Sequence, residues 1–186
     1  MSYYDDNAKE YIEKTINCDM QAQYDMLLKY IKKGTLLDVG FGSARDMLYF
    51  KRKGFEVYGI DPTEEFCNHA RKLGFEVELS TIEEYKTDRQ FDVIWACASL
   101  LHCKDLKEAI GNCYYLLKTN GLMYISLKLG HDEEFVNGRY FYYVTEEQLY
   151  SIAEEAGLST TEISISEAQL LNKETKWINA ILKKCG

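Results

Sequence analysis

Three side chains and a pair of glycines carry the chemistry that this sequence offers. In the stretch Leu36-Leu37-Asp38-Val39-Gly40-Phe41-Gly42-Ser43-Ala44-Arg45-Asp46, an acid precedes two glycines that stand one residue apart. Glycine lets the backbone turn sharply and lets a ligand approach the main chain closely. Asp61 follows the turn after about twenty residues, a spacing at which a carboxylate can accept hydrogen bonds from ribose hydroxyls. A dinucleotide turn needs a third small residue where this chain has Arg45, which is too large for close helix–strand contact. Asp38 would also repel a pyrophosphate, whereas it suits a ligand with a cationic end. His102 ends the apolar run Phe91 to His102, and its ordinary pKa suits proton transfer near neutral pH.

Composition limits what such a site can serve. The chain has 186 residues, 46% of them hydrophobic, which suffices for one domain with a real core. Its formal net charge of −8 excludes a general attraction to nucleic-acid backbones, though not one local basic pocket. The start, Met1-Ser2-Tyr3-Tyr4-Asp5-Asp6, lacks the basic end and apolar run of a signal peptide. No apolar stretch approaches the length of a membrane span, about 20 residues. The six cysteines form no Cys-x-x-Cys pair, so reduced thiols in the cytoplasm are the expectation. Three scattered histidines suggest no metal site.

The elements that must position these residues follow from periodicity. Residues 5–33 read as helical. Within them, Tyr4 to Thr15 is a weaker helix with Asp5 or Asp6 as cap, and the face Met20, Tyr24, Leu27, Leu28, Ile31 is the stronger. Strands are expected at 35–39, 55–60, 75–80, 91–98 and 121–128, with helices at 43–53, 64–73 and 105–118 and one helical turn at 82–85. This alternation predicts a parallel sheet with right-handed crossovers and helices on both faces. Residues 129–144 have no clear period and are rich in aromatics, and Thr145 opens a capping-box helix. The last two strand-like runs, 158–165 and 176–182, predict an antiparallel end. The fold expected is therefore α/β: a three-layer αβα Rossmann-like sheet of seven strands, mostly parallel with an antiparallel terminal strand, plus N-terminal helices. One domain is expected overall, with 1–34 as a helical cover and 35–186 as the cofactor-binding part.

The acid-glycine-glycine turn resembles motif I of the class I S-adenosylmethionine-dependent methyltransferases. The likeness continues in Gly59-Ile60-Asp61-Pro62, in the run from Phe91 to His102, and in Leu116 to Lys128, similar to that family's turn into its fifth strand. Small bacterial members are also similar at Gly42 to Asp46, Trp95 to His102, Gly138 to Phe141 and Trp177 to Asn179. The resemblance implies S-adenosyl-L-methionine as cofactor, with S-adenosyl-L-homocysteine as product. It places Asp38 beside the methionine end, Gly40 and Gly42 under it, Asp61 on both ribose hydroxyls, and Pro62 and Phe66 about the adenosine. Thr81 and Ile82 take the adenine corner, and Ala96 and Cys97 offer carbonyls to the ammonium. Arg45 either binds the cofactor carboxylate or is a solvated helix residue. Tyr11 either reaches the methionine end or packs on the sheet.

Three expectations concern the rest of the site. His102 is a base, a substrate contact or a structural residue of its loop. Lys128, Arg139, Tyr140 and Tyr142 form a cationic, aromatic pocket for a small acceptor, or the tyrosines merely pack the lid. Ser43 and Asp46 form a capping pair, or Asp46 contacts the cofactor, while Ala44, at the helix start, needs no positive φ. The reading is methyl transfer to a small molecule; the alternatives are a tRNA- or other macromolecule-modifying enzyme, or a catalytically silent module that binds the cofactor.

Overall fold

The computed structural model describes residues 3–131, 133–136, 138–170 and 173–186. Two helices, α1 (Tyr3–Thr15) and α2 (Gln21–Leu28), precede the first strand. The alternating part comprises β1 (Thr35–Val39), α3 (Arg45–Arg52), β2 (Glu56–Asp61), α4 (Glu64–Lys72), β3 (Glu76–Leu79) and β4 (Phe91–Cys97). It continues through α5 (Leu106–Leu116) to β5 (Leu117–Leu129). Then come β6 (Glu133–Val136), β7 (Arg139–Val144), α6 (Glu146–Glu155), β8 (Leu158–Leu170) and β9 (Lys173–Lys184).

The sheet runs β3-β2-β1-β4-β5 with every neighbouring pair parallel. Beyond β4, β5 pairs antiparallel with β9 from Leu122↔Lys183 to Lys128↔Trp177, and β9 pairs antiparallel with β8. Alternation along the strands makes the layers, because successive side chains of a strand point to opposite faces. Leu37, Ile94, Ala96, Met123 and Ile125 pack with Leu106, Ile110, Leu149 and Ala153 of α5 and α6. The intervening Leu36, Val93, Trp95, Leu122 and Tyr124 pack with Tyr24, Leu27 and Phe50 of α2 and α3. Trp95 stacks on Tyr124 at 3.9 Å, so even the aromatic residues of these strands are core.

Among the described residues the sheet has nine strands rather than seven. The surplus is the antiparallel pair β6–β7, drawn from the aperiodic segment 129–144, with Val136↔Arg139 across the turn and Gly138 at φ 75. Glycine at positive φ suits the tight connection of a hairpin. β7 adds to β5 in parallel through Lys128↔Tyr143 and Leu129↔Val144. These positions lie past the last β4 partner on β5, Cys97↔Ser126. The hairpin therefore extends the sheet beyond the carboxyl end of β4. The terminal pair also reaches further than 158–165 and 176–182, because backbone pairing continues to Leu170↔Lys173. Asp5 and Asp6 lie inside α1, not at its cap. The turn at 82–85 survives as a Tyr85 N–H to Thr81 carbonyl bond of 3.0 Å.

Candidate functional site

A pocket of about 530 Å³ opens at the carboxyl ends of β1, β2 and β4, the usual crevice of such a sheet. Gly40 and Gly42 form part of its wall, both at positive φ (72° and 52°). A Cβ on Gly40 would lie 2.5 Å from Ser99 Cβ, and one on Gly42 would lie 3.0 Å from Tyr11 Cε1. The glycines thus serve close approach by the protein's own residues, besides any ligand. The turn ends at Ala44, at φ 60 and ψ 17, fully buried. This overturns the expectation that the alanine escapes positive φ. The chain is still reversing direction at residue 44, and α3 begins only at Arg45.

The loop after β4 repeats the pattern. Ala98 adopts φ 53 and donates its N–H to Ser126 Oγ at 2.8 Å. Ala98, Ser99 and Leu100 line the pocket, and the expected Ala96 and Cys97 do not. The strand persists to Cys97, so these two residues are still in the sheet and the exposed backbone falls one step later. Ser99 Oγ is buried without a hydrogen-bond partner and faces a site that the sequence did not mark. Burial pushes the Cys97 thiol up to about 12, which keeps it protonated and poor as a nucleophile.

Asp61 ends β2 and lines the pocket at 4% exposure. Its Oδ2 accepts from Gly42 N–H at 3.0 Å and its Oδ1 from Thr63 N–H at 2.9 Å. A carboxylate has about four lone-pair positions, so two hydroxyl donors can still be accommodated. Burial raises this carboxyl to about 6, and the two backbone donors only partly oppose that. Pro62, Phe66, Thr81 and Ile82 line the same pocket, together with Ser80 and Glu83.

Asp38 lies just outside the lining, although its chain neighbours Val39 and Gly40 belong to it. It is 2% exposed, and its Oδ2 has no hydrogen-bond partner among the described residues. Burial, with Asp46 and Asp61 nearby, holds its carboxyl well above the usual range against the pull of Arg45. A buried, unpartnered carboxyl oxygen fits a cationic ligand group, whose charge would favour the ionised form.

Arg45 and Asp46 have other work. Arg45 donates Nε to Asp46 Oδ1 at 2.7 Å and Nη2 to Oδ2 at 3.0 Å. Tyr24 donates to Asp46 Oδ1, and Trp95 Nε1 donates to Oδ2 at 2.9 Å. Arg45 thus lies outside the pocket lining with 19% of its side chain exposed, and Asp46 does not cap α3, whose start has no side-chain cap among the described residues. The pair ties α2, α3 and β4 together beneath the pocket. Four donors from the folded chain outcompete a local capping bond.

The first helix forms the cover. Tyr4 and Tyr11, seven residues apart and hence on one helix face, both line the pocket. Tyr11 packs 5.4 Å from Phe66, and Tyr4 packs edge-on to Tyr11 at 5.3 Å. His102, in a single 3₁₀ turn (Leu100–His102), also lines the pocket. Its Nδ1 is 2.7 Å from Tyr140 O, and its Nε2 is 3.0 Å from Tyr4 OH. Burial holds the imidazole below its ordinary value; the Tyr140 carbonyl raises it, while Arg139 and Lys128 lower it further.

The four residues expected to wall an acceptor split by strand alternation. Arg139 and Phe141 share a face of β7, with Arg139 Cζ 5.1 Å from the Phe141 ring centroid and Lys128 Nζ 3.7 Å from it. Tyr140 and Tyr142 point to the opposite face, and Tyr140 meets His102 only through its backbone carbonyl. None of the four lines the pocket as it stands; Arg139 Cζ is 5.9 Å from the ring of Tyr4, which does line it.

Residues 37–125 match the family described as "Methyltransferase domain". The ubiquinone biosynthesis O-methyltransferase of Bradyrhizobium sp. (strain ORS 278) is 32% identical over 97 residues, 49% of this chain and 38% of that relative. The chain therefore spans well under half the length of that curated relative. Among solved structures, the 1,6-didemethyltoxoflavin-N1-methyltransferase of Burkholderia thailandensis, holding 1,6-didemethyltoxoflavin and S-adenosylhomocysteine, superposes with a TM-score of 0.78 at 18% identity. That match covers 98% of this chain and 84% of that one. A Haloferax volcanii putative methyltransferase, in complex with the Trm112 activator, gives 0.82 at 14% identity, covering 100% and 99%. Residues 37–125 thus match a methyltransferase domain, and the chain has the fold of S-adenosylmethionine-dependent methyltransferases.

Proposed function

We propose that the protein transfers a methyl group from S-adenosylmethionine to a small-molecule acceptor. One observation carries this most directly: the buried Asp38 oxygen without a partner, set beside a glycine turn where a pyrophosphate would be repelled. Bound there, the cofactor supplies an electrophilic methyl on a sulfonium. Asp38 holds its ammonium, Asp61 accepts from the two ribose hydroxyls, and Phe66, Pro62, Thr81 and Ile82 enclose the adenosine. Tyr11 covers the methionine end from α1, whereas α2 packs on the sheet with α3, so within residues 1–34 the cover is α1, and 35–186 act as the binding part. In-line displacement with a good leaving group needs mainly position and exclusion of water, and an aromatic cover gives both.

His102 is the residue suited to take a proton from the acceptor. Burial beside two cations keeps it neutral at pH 7, with one ring nitrogen directed at the pocket. A small acceptor accords with the acidity of the chain and with the ring-bearing ligand held by the Burkholderia neighbour. Calorimetry with S-adenosylmethionine, S-adenosylhomocysteine and NAD is the test. The two sulfur compounds should bind and NAD should not. Asp38→Asn should weaken both by removing the anionic partner of the ammonium. NAD binding alone would end the methyltransferase reading.

A further inference from the structure

His102 and Tyr4 make a pair whose chemistry can be read from the hydrogen bonds. A carbonyl oxygen can only accept, so the 2.7 Å contact to Tyr140 O fixes the proton on His102 Nδ1. Nε2 therefore carries the lone pair, and the Tyr4 hydroxyl at 3.0 Å donates to it. A phenol belonging to the protein thus stands on the proton-accepting nitrogen of the pocket. Its ring lies within 6.0 Å of Tyr11, Phe66 and His102, edge-on to Tyr11 and His102. Arg139 lies over it at 5.9 Å. Aromatic edges around a ring, a base at its hydroxyl and a cation over its face are what a phenol needs, and a nearby cation favours its ionised oxygen.

The geometry points to a hydroxylated aromatic ring as the methyl acceptor, bound where Tyr4 sits and taking over the hydrogen bond that Tyr4 makes to His102. The inference rests on the methyltransferase reading above and names its substrate class. Tyr4 is carried on α1, whose Ala8 and Tyr11 pack against Phe41 and Phe66, so displacing it means moving part of one helix and leaves the sheet intact. With the acceptor in place, its hydroxyl proton passes to Nε2, giving an imidazolium whose other N–H still bonds the Tyr140 carbonyl. The oxygen keeps the electron pair with which it would bond the methyl carbon, while the S–CH3 bond would break with its electron pair left on sulfur and S-adenosylhomocysteine as the leaving group. Once α1 has moved, Arg139, Lys128 and Phe141 become the outer wall of the acceptor site.

The probe is p-cresol, with toluene as the control that lacks only the hydroxyl. Each is titrated into the wild type, Tyr4→Phe and Tyr4→Ala while the His102 ring signal is followed by NMR, assigned with His102→Gln. p-Cresol should move that signal and should bind Tyr4→Phe about fivefold more tightly than wild type, since one competing hydrogen bond is gone. Toluene should bind at least severalfold more weakly. Equal binding of the two probes, or a His102 signal that p-cresol leaves in place in Tyr4→Phe, overturns the proposal. Tyr4→Phe keeps the ring, so it serves if Tyr4→Ala does not fold. Calorimetry with S-adenosylhomocysteine on the same samples separates the two readings. Binding without a p-cresol response removes the phenol and keeps the cofactor. No binding in the wild type removes both.

Discussion

Asp61 has its carboxyl raised to about 6 because burial disfavours its charge, yet it must be ionised to accept from two ribose hydroxyls. Affinity for S-adenosylhomocysteine should therefore fall as pH drops through about 6, and calorimetry between pH 5 and 8 measures it. Asp61→Asn should bind weakly at every pH and lose that step. The sign for the cofactor-free protein is opposite. A folded pKa above the unfolded value, about 3.9, gives stability that is present at low pH and lost as pH rises through about 6. The difference in thermal midpoint between wild type and Asp61→Asn should thus move in favour of wild type from pH 7 to pH 5. Ala44 poses a different balance. Glycine there would relieve about 1 kcal/mol of left-handed strain and would forfeit a buried methyl worth about 0.8 kcal/mol. Ala44→Gly should shift stability in urea by less than about 1 kcal/mol, so the missing third glycine does little harm.

Elements are joined at this site by two devices that a linear motif conceals. The Arg45–Asp46 pair receives Tyr24 from α2 and Trp95 from β4. Asp46→Ala would leave a buried guanidinium, a phenol and an indole without their acceptor. It should cost about 3–5 kcal/mol, read as a lower urea midpoint, whereas Asp46→Asn should cost less because the amide oxygen still accepts. The second device is the fit of Tyr11 on Gly42. Gly42→Ala adds a Cβ 3.0 Å from the Tyr11 ring at a backbone φ of 52°. Strain of about 1 kcal/mol is expected there, and the tyrosine must shift. Amide hydrogen exchange should show α1 losing protection while β1 and β4 keep theirs. Neither device is legible from helical or strand periodicity. Asp46 has the position of a capping acid, and only the approach of α2 and β4 turns it into an anchor.

For the whole molecule, the sheet core and its cover should separate energetically. The strands bury Leu36, Leu37, Ile94, Trp95, Met123 and Ile125 between two helical layers, whereas α1 contributes mainly Ala8, Tyr4 and Tyr11 at one end. Deleting residues 1–18 should leave one cooperative unfolding transition and reduce S-adenosylhomocysteine affinity by at least tenfold, measured by circular dichroism and calorimetry. Unchanged affinity would show that the cover is not part of the cofactor site. Among the described residues, no helix is long and apolar enough to cross a membrane.

The sequence by itself determined the parallel αβ order, the two glycines, and Asp38 and Asp61 at strand ends. Strand alternation, helix periodicity and glycine punctuation are local, and local patterns survive without a partner. His102 was also legible as chemistry, though not as a pair. The tertiary structure alone decided that Ala44 takes positive φ and that Ala98 and Ser99, not Ala96 and Cys97, meet the pocket. It also decided that Arg45 is committed to Asp46, that Tyr140 and Tyr142 turn away from Lys128 and Arg139, and that residue 4 reaches residue 102. Each of these depends on which distant donor, acceptor or ring occupies the space around a side chain. No spacing along one chain specifies such a competition, because its outcome is set by elements brought together only when the sheet has formed.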